Sequence, residues 1–263
     1  MEPRDAAAYL ARIGYHGPRE PTVETLRALH RAHLATVPFE NLDIHAGRPI
    51  RLDRAAFFQK IVGERRGGFC YELNGLFGDL LVALGFDVAL LSARVARPDG
   101  SLGPEFDHLL LLVTLAERWI ADVGFGRCFE EPLALDQPTE HEADGAFYRV
   151  VASGDDWRLE SRSSVSVVGT PQTPGAEHGL EYAFTLRPRA LEEFAGMCEH
   201  HQKSPESSFT QQIVCSMPNA RGRITISGHT LVVTDRGARR ETPLEDDRAV
   251  AAALHEHFGI RLP

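Results

Sequence analysis

Residues 66–84 have the sequence RGGFCYELNGLFGDLLVAL, and they contain the strongest structural signal in the chain. Apolar residues recur there at the spacing of one helix face. They are Leu73, Leu76, Phe77, Leu80, Leu81 and Leu84. Gly85 follows the last of them, and glycine commonly ends a helix. The pattern predicts an amphipathic helix that begins near Cys70, directly after a glycine-containing turn.

Cys70 lies where this helix is expected to begin, a position that can activate a thiol. A free cysteine has a pKa of about 8.5, so little thiolate exists at neutral pH. A helix N-terminus and the side chains of Arg65 and Arg66 would lower that pKa. Gly67 and Gly68 would leave room for a substrate beside the sulfur. The alternative is a buried structural cysteine, because cysteine is among the most buried residue types.

Two residues further along the chain are candidates to complete a site for nucleophilic catalysis. His108 begins the strand-like run HLLLLV, and Asp122 lies within the next strand-like run, RWIADVGF. Burying a carboxylate is costly unless it is paired, and an imidazole would supply the partner. The order Cys, His, Asp on a helix start and two adjacent strands also occurs in papain-like and transglutaminase-like folds. The sequence therefore predicts a catalytic triad of Cys70, His108 and Asp122.

The register of the two strands decides whether His108 and Asp122 share a face. Side chains alternate with period two, so a shift of one residue would separate them. A three-residue loop at 115–117 pairs Leu110 with Asp122 and leaves His108 on the diagonal, within reach of the carboxylate. A two-residue loop without a bulge would contradict this geometry.

The rest of the chain is predicted to contain helices first, then strands, then a mixed section. Helices are expected at 22–37 and at 54–62, the second capped by Asp53. Strands are expected at 86–96, 108–115, 118–125 and 146–151. The final section is expected to have helices at 191–201 and 247–258 and strands at 211–217, 222–228 and 229–234. Domain boundaries are predicted near Gly85 and near residues 187–188.

Composition limits the class of protein. The chain has 263 residues and a formal net charge of −9, which argues against general nucleic-acid binding. It has no apolar run long enough to span a membrane and no apolar segment typical of a signal peptide. Its four cysteines form no CxxC pair, and there is no HExxH motif, so no metal site is expected. These features favour a cytoplasmic protein with reduced thiols.

Five segments, in order along the chain, resemble the arylamine N-acetyltransferase family. They are VPFENLDIH (37–45), RGGFCYELNG (66–75), HLLL (108–111), ADVGFG (121–126) and SPESSF (204–209). The resemblance implies an α+β fold with a papain- or transglutaminase-like Cys-His-Asp core. It implies an N-terminal helical bundle (1–85), a central antiparallel β-barrel (86–187) and a C-terminal α/β lid (188–263). It also implies the triad of Cys70, His108 and Asp122.

The resemblance further implies that an acetyl group passes from acetyl-CoA to a small arylamine or hydrazine, by a ping-pong mechanism through acetyl-cysteine. No metal cofactor, nucleic-acid partner or membrane partner is expected. The predicted contacts to the cofactor are Asp107, Gly124, Phe125 and Gly126. The predicted contacts to the amine are Phe39, Phe69, Phe125 and Phe209. Family members often have threonine where this chain has Asp107, and a carboxylate there affects either His108 or the phosphates of CoA.

Three alternatives stay open at the level of the sequence. An amide synthase of the same fold would use the same triad to close a macrolactam from a carrier-bound chain. A thiol hydrolase or transglutaminase would have the same order of triad residues. A binding or regulatory module would have a dead triad, which the intact Cys70, His108 and Asp122 disfavour.

Overall fold

The structure is a computed structural model, which describes residues 1–137, 139–143, 145–163, 178–236 and 238–261. Its α-helices are α1 (Pro3–Arg12), α2 (Val23–Leu34), α3 (Leu42–His45), α4 (Arg54–Phe58), α5 (Cys70–Ala83), α6 (Ala195–Lys203), α7 (Ser208–Gln211) and α8 (Asp247–Phe258). A π-helical turn (Gln59–Gly63) continues α4, and a 3₁₀ turn (Leu191–Phe194) leads into α6. In the described ranges, no helix is both long and apolar enough to cross a membrane.

Within the described residues, thirteen strands form two antiparallel sheets. The first strands are β1 (Phe39–Glu40), β2 (Asp87–Val95), β3 (His108–Thr114), β4 (Arg118–Ala121), β5 (Leu133–Ala134) and β6 (His141–Ala143). The remaining strands are β7 (Ala146–Ser153), β8 (Asp156–Ser163), β9 (Gly179–Phe184), β10 (Val214–Asn219), β11 (Gly222–Ser227), β12 (Thr230–Asp235) and β13 (Ala238–Pro243).

Helices α1, α2 and α4 surround the buried helix α5. The helix predicted from Cys70 is confirmed, and Gly85 follows it with a φ of +91°. The predicted cap at Asp53 is also confirmed, since its carboxylate accepts from Ala56 N at 2.9 Å. The helix expected over 54–62 changes into a π-helical turn after Phe58.

The larger sheet has eight strands in the order β5-β4-β3-β2-β9-β8-β7-β6. Leu133 of one edge strand and Ala143 of the other belong to the same buried core, so the sheet curls until its two edges face one interior. Along β3, Leu109 and Leu111 pack against the helices, whereas Leu110 faces this interior. The barrel-like sheet therefore presents one face of β3 to α5 and the other to its own core.

The hairpin of β3 and β4 has the predicted register. Leu111 lies opposite Ala121 and Thr114 opposite Arg118, which leaves the three-residue loop 115–117. The same register sets Asp122 opposite Leu110. The expectation that Asp122 lies inside the strand was wrong, because β4 ends at Ala121, one residue earlier.

The smaller sheet has the order β1-β10-β11-β12-β13, and α8 packs on one of its faces. Its edge strand β1 comes from Phe39–Glu40 and pairs with β10. The smaller sheet therefore combines residues from the predicted N-terminal and C-terminal domains, and the exact boundaries stay a prediction. The α+β fold expected from the sequence, with helical bundle, antiparallel barrel and C-terminal α/β unit, is confirmed.

Candidate active site

The loop before Cys70 is held by close backbone packing. Glu40 N donates to the carbonyl of Gly68 at 2.8 Å, and a Cβ on Gly67 would lie 1.9 Å from the carbonyl oxygen of Pro38. A Cβ on Gly68 would lie 2.7 Å from a carboxylate oxygen of Glu72. The two glycines therefore let the loop pack closely against the backbone at Pro38 and the side chain of Glu72. The sequence had suggested instead that they leave space for a substrate.

A buried ionic network lies beneath this loop. Arg66 Nη2 lies 2.8 Å from Glu40 Oε1 and 3.1 Å from Asp43 Oδ1. Lys60 Nζ lies 2.9 Å from Asp43 Oδ2 and 2.9 Å from Glu72 Oε1. Glu72 also accepts from the Phe69 N–H at 3.1 Å, which caps α5. The network fixes the start of the helix that bears Cys70.

The expected activation of Cys70 by arginines was wrong. Arg66 is already paired with two carboxylates, and Arg65 is exposed to solvent. Burial raises the pKa of the Cys70 thiol well above its usual value. Because an isolated thiolate is disfavoured in this position, the thiol proton needs an acceptor close by.

His108 and Asp122 form a hydrogen-bonded pair, with His108 Nε2 2.7 Å from Asp122 Oδ2. The same oxygen accepts from Tyr182 Oη at 3.0 Å, while Oδ1 accepts from Asn74 Nδ2 at 2.8 Å and from Gly124 N at 3.0 Å. Burial acts to raise the pKa of Asp122, but His108 and these donors outweigh it, so the pKa is lowered. Asp122 therefore stays ionised and orients the ring, which leaves Nδ1 of His108 as the nitrogen that can accept a proton.

Two neighbouring aromatic rings pack against the imidazole of His108. The ring centroid of Phe125 lies 5.1 Å from that of His108, and the centroid of Tyr182 lies 5.3 Å away. Phe125 and Tyr182 also pack edge to face with each other at 5.0 Å. The orientation of His108 is therefore set by packing as well as by Asp122.

Sequence reasoning missed three residues of this site: Asn74, Tyr182 and His30, whose Nε2 accepts from the Asp122 N–H at 3.1 Å. Asn74 also donates to the carbonyl of Leu109 at 2.7 Å and accepts from Val123 N at 2.9 Å. A polar residue amid the apolar face of α5 was a signal for Asn74. Tyr182 lies on β9, a strand that the sequence did not predict. His30 lies among the apolar residues of α2, where a histidine gives no signal of its own.

A cavity of about 170 Å³ opens beside Cys70. It is lined by Phe39, Cys70, Val95, Asp107, His108, Gly124, Phe125, His201, Ser208 and Phe209. Cys70 and His108 therefore face the same space. Gly124 is required there, since a Cβ would lie 2.8 Å from Cys70 Cα.

The structure brings most, but not all, of the predicted contact residues to this cavity. Phe39, Phe209, Asp107, Gly124 and Phe125 line it, and their roles in binding stay predictions.

Phe69 and Gly126 do not line the cavity. Phe69 is fully buried because it precedes α5, and its ring packs against Tyr71 at 5.0 Å and Phe209 at 6.0 Å. A Cβ on Gly126 would lie 3.3 Å from the ring of Phe39, so this glycine packs closely against a ring that lines the cavity. Both residues lie behind or beside the lining of this cavity, and their expected contacts with the amine and the cofactor stay predictions.

In the part of the chain that the structure describes, no group of three or more histidine, cysteine or acidic residues is placed to hold a metal ion.

A cysteine at a helix start, with a histidine–aspartate pair from a barrel-like sheet, defines an enzyme of the thiol-nucleophile class. A family model described as N-acetyltransferase matches residues 22–263. The arylamine N-acetyltransferase of Mycolicibacterium smegmatis is 35% identical over 269 residues, which cover 98% of this chain and 92% of the relative.

Solved structures agree with the sequence comparison. The arylamine N-acetyltransferase from Salmonella typhimurium superposes with a TM-score of 0.87 at 31% identity, covering 99% of this chain and 92% of that chain. The Mycobacterium marinum arylamine N-acetyltransferase in complex with CoA superposes with a TM-score of 0.85 at 32% identity, covering 97% and 92%. The chain belongs to the arylamine N-acetyltransferase family.

Proposed function

We propose that this protein transfers the acetyl group of acetyl-CoA to arylamines and arylhydrazines by double displacement, with Cys70 as the covalent carrier. One observation carries the proposal: Cys70 and His108 line the same cavity, and the Asp122 carboxylate lies 2.7 Å from Nε2 of His108, so that the other ring nitrogen, Nδ1, can accept a proton. Family membership supports acetyl-CoA as the donor, and the M. marinum relative has a structure with CoA.

In the first half-reaction, Nδ1 of His108 accepts the proton of the Cys70 thiol. The sulfur attacks the carbonyl carbon of the thioester, the bond to the CoA sulfur breaks, and CoA leaves with the proton that His108 returns. Because burial disfavours an isolated thiolate, a charged sulfur depends on the imidazolium beside it, whether the proton moves during the attack or the pair is already ionised, and Asp122 stabilises that imidazolium. Backbone N–H groups at the start of α5 are the candidates to bind the developing oxyanion, since the first N–H groups of a helix lack intrahelical partners.

In the second half-reaction, the amine nitrogen attacks the carbonyl carbon of acetyl-Cys70. His108 takes a proton from the amine and returns it to the sulfur as the bond between carbon and Cys70 breaks. The rings of Phe39, Phe125 and Phe209 offer apolar surface for an arylamine, and Gly124 allows close approach to Cys70. Asp107 and Gly124 are the lining residues proposed to contact the CoA arm, because they flank the triad.

Initial-rate kinetics tests this mechanism. With acetyl-CoA and aniline, double-reciprocal plots at several amine concentrations should be parallel, because CoA leaves before the amine reacts. Cys70→Ser should lose almost all turnover, since a hydroxyl ionises far less than a thiol. Cys198→Ser is the matched control, because Cys198 is buried outside the cavity lining. Intersecting lines would contradict the covalent route and indicate direct transfer.

The amide-synthase alternative differs only in its acyl donor, and the comparisons do not favour it over acetyl transfer. A panel of acyl-CoAs with a simple aniline separates the two, since an amide synthase would require a carrier-bound chain. A cytoplasmic location remains part of the proposal.

A further inference from the structure

Asp107 introduces a carboxylate into the wall of the cavity. Among the described residues that line this space, it is the only aspartate or glutamate, and none is lysine or arginine. The remaining polar side chains there belong to Cys70, His108, His201 and Ser208. The described lining therefore carries one formal negative charge and no lysine or arginine.

The position of this carboxylate is restricted. His201 Nε2, on α6, lies 3.1 Å from the Asp107 carbonyl oxygen and 3.3 Å from Oδ1. The hydroxyl of Tyr71 donates to the carbonyl of Phe106 at 2.7 Å, which ties down the preceding residue. The carboxylate oxygen Oδ2 occupies the space that a side chain at position 103 would fill, so it packs directly against the backbone of Gly103.

The size of the cavity brings a bound amine close to Asp107. A space of about 170 Å³ is largely filled by one substituted benzene ring. Because Cys70 and Asp107 line the same small space, an amine that reaches Cys70 places its ring and ring substituents near Asp107. A carboxylate only accepts hydrogen bonds, and it repels a second negative charge.

We propose that Asp107 determines acceptor specificity: it makes the site select neutral or cationic arylamines and hydrazines and reject anionic ones such as aminobenzoates. This inference rests on the proposed acetyl transfer. It concerns the second half-reaction, in which the amine meets acetyl-Cys70.

The test compares 4-aminobenzoate with 4-aminobenzamide, which are close in size and differ in charge. In a ping-pong scheme kcat/KM for the amine reports only its reaction with the acetyl-enzyme, so altered binding of acetyl-CoA does not affect it. Wild type should use the amide about tenfold better or more. Asp107→Asn and Asp107→Thr should each reduce this preference by about tenfold. The effect is smaller than the repulsion between two fully buried charges, because the Asp107 side chain is 17% exposed and solvent screens it.

Glu105→Gln is the matched control. It removes the same charge two residues away, from an exposed side chain that pairs with Arg189 at 2.8 Å and does not line the cavity. Its preference should equal that of wild type. An unchanged preference in both Asp107 variants, or a wild-type preference for 4-aminobenzoate, would overturn the inference. Aniline is included as an uncharged acceptor. If aniline is acetylated but the Asp107 variants show no change in preference, the specificity inference fails and the proposed acetyl transfer stands. If no amine is acetylated, the inference and the proposed function both fail.

Discussion

Asp122 accepts hydrogen bonds at both carboxylate oxygens, and its backbone N–H donates to the buried ring of His30 at 3.1 Å. The other nitrogen of His30, Nδ1, donates to the carbonyl of Glu130 at 2.9 Å. Burial lowers the pKa of His30 to about 4, so the ring stays neutral and keeps one donor and one acceptor. His30 thereby joins α2 to both ends of the segment that follows β4.

His30 is therefore expected to be a positioning residue that acts through Asp122. His30→Leu removes both hydrogen bonds and should lower kcat by about tenfold, because small displacements of a catalytic group are costly. His30→Gln retains a donor and an acceptor and should recover much of that loss. The KM for acetyl-CoA should change little in either variant, since His30 does not line the cavity.

A general loss of stability would affect both substitutions alike. Thermal unfolding of the two variants should be compared so that kcat is measured where both are folded. Equal kcat values for His30→Leu, His30→Gln and wild type would show that Asp122 does not depend on this contact.

At the scale of the element, the start of α5 depends on a network with an unbalanced charge. Among the residues that the structure describes, Glu40, Asp43 and Glu72 pair with two cations, Lys60 and Arg66. Burial is the main cause that raises the pKa of Glu72 from 4.5 to about 7. The excess negative charge is therefore relieved by a proton on Glu72 when the pH is below about 7.

This raised pKa predicts the sign of a pH effect on stability. Between the unfolded and folded pKa of Glu72, the native state binds more protons than the unfolded state. Its contribution to the free energy of unfolding therefore falls as pH rises from about 4.5 to about 7. Glutamine does not titrate, so Glu72→Gln lacks this pH dependence. The free energy of unfolding of wild type minus that of the variant should therefore decrease as pH rises across that window. Urea denaturation at several pH values measures it.

Glu64→Gln is the control for Glu72→Gln. It removes the same charge from an exposed side chain in the neighbouring turn. Its difference from wild type should not vary with pH in this window. A pH-independent difference for Glu72→Gln would mean that Glu72 is ionised throughout and that Lys60 fully compensates it.

At the scale of the whole molecule, Asn41 joins the N-terminal and C-terminal parts of the chain. Its Nδ2 donates to the carbonyls of Phe209 and Gln212, each at 2.9 Å, and its Oδ1 accepts from Val214 N at 2.7 Å. The segment held in this way carries Ser208 and Phe209, which line the cavity. One buried amide therefore positions a wall of the site across a long sequence separation.

Asn41→Ala should lower the free energy of unfolding by about 2–3 kcal/mol, since it leaves partly buried backbone groups without partners. It should also raise the KM for the amine, because Phe209 loses its support. The release of CoA from acetyl-CoA alone should persist, since Cys70, His108 and Asp122 do not contact Asn41. Unchanged stability together with an unchanged KM would show that β1 and β10 hold the segment without Asn41.

The local parts of this molecule were predictable from sequence, and the long-range parts were not. Helix α5 and the β3–β4 hairpin follow from apolar periodicity and loop length, and both were correct. Strands β8 and β9 were missed because their polar residues weaken the apolar pattern, and β9 pairs with the distant β2.

The site shows the same division. Cys70, His108 and Asp122 lie in short motifs, whereas Tyr182 and His30 join them only through tertiary packing. The expected role of Arg66 failed for a related reason, since the sequence does not show that Glu40 and Asp43 absorb its charge.

The central claim is that Cys70 carries the acetyl group, and intact-protein mass spectrometry after mixing with acetyl-CoA tests it most directly. We expect one added acetyl group per chain, located by peptide mapping on Cys70 and lost when an arylamine is added. Cys198→Ser should acquire the same acetyl group, and Cys70→Ser should not. Acetylation of the amine at full rate by a protein that never gains the acetyl group, or gains it at another cysteine, would contradict the account.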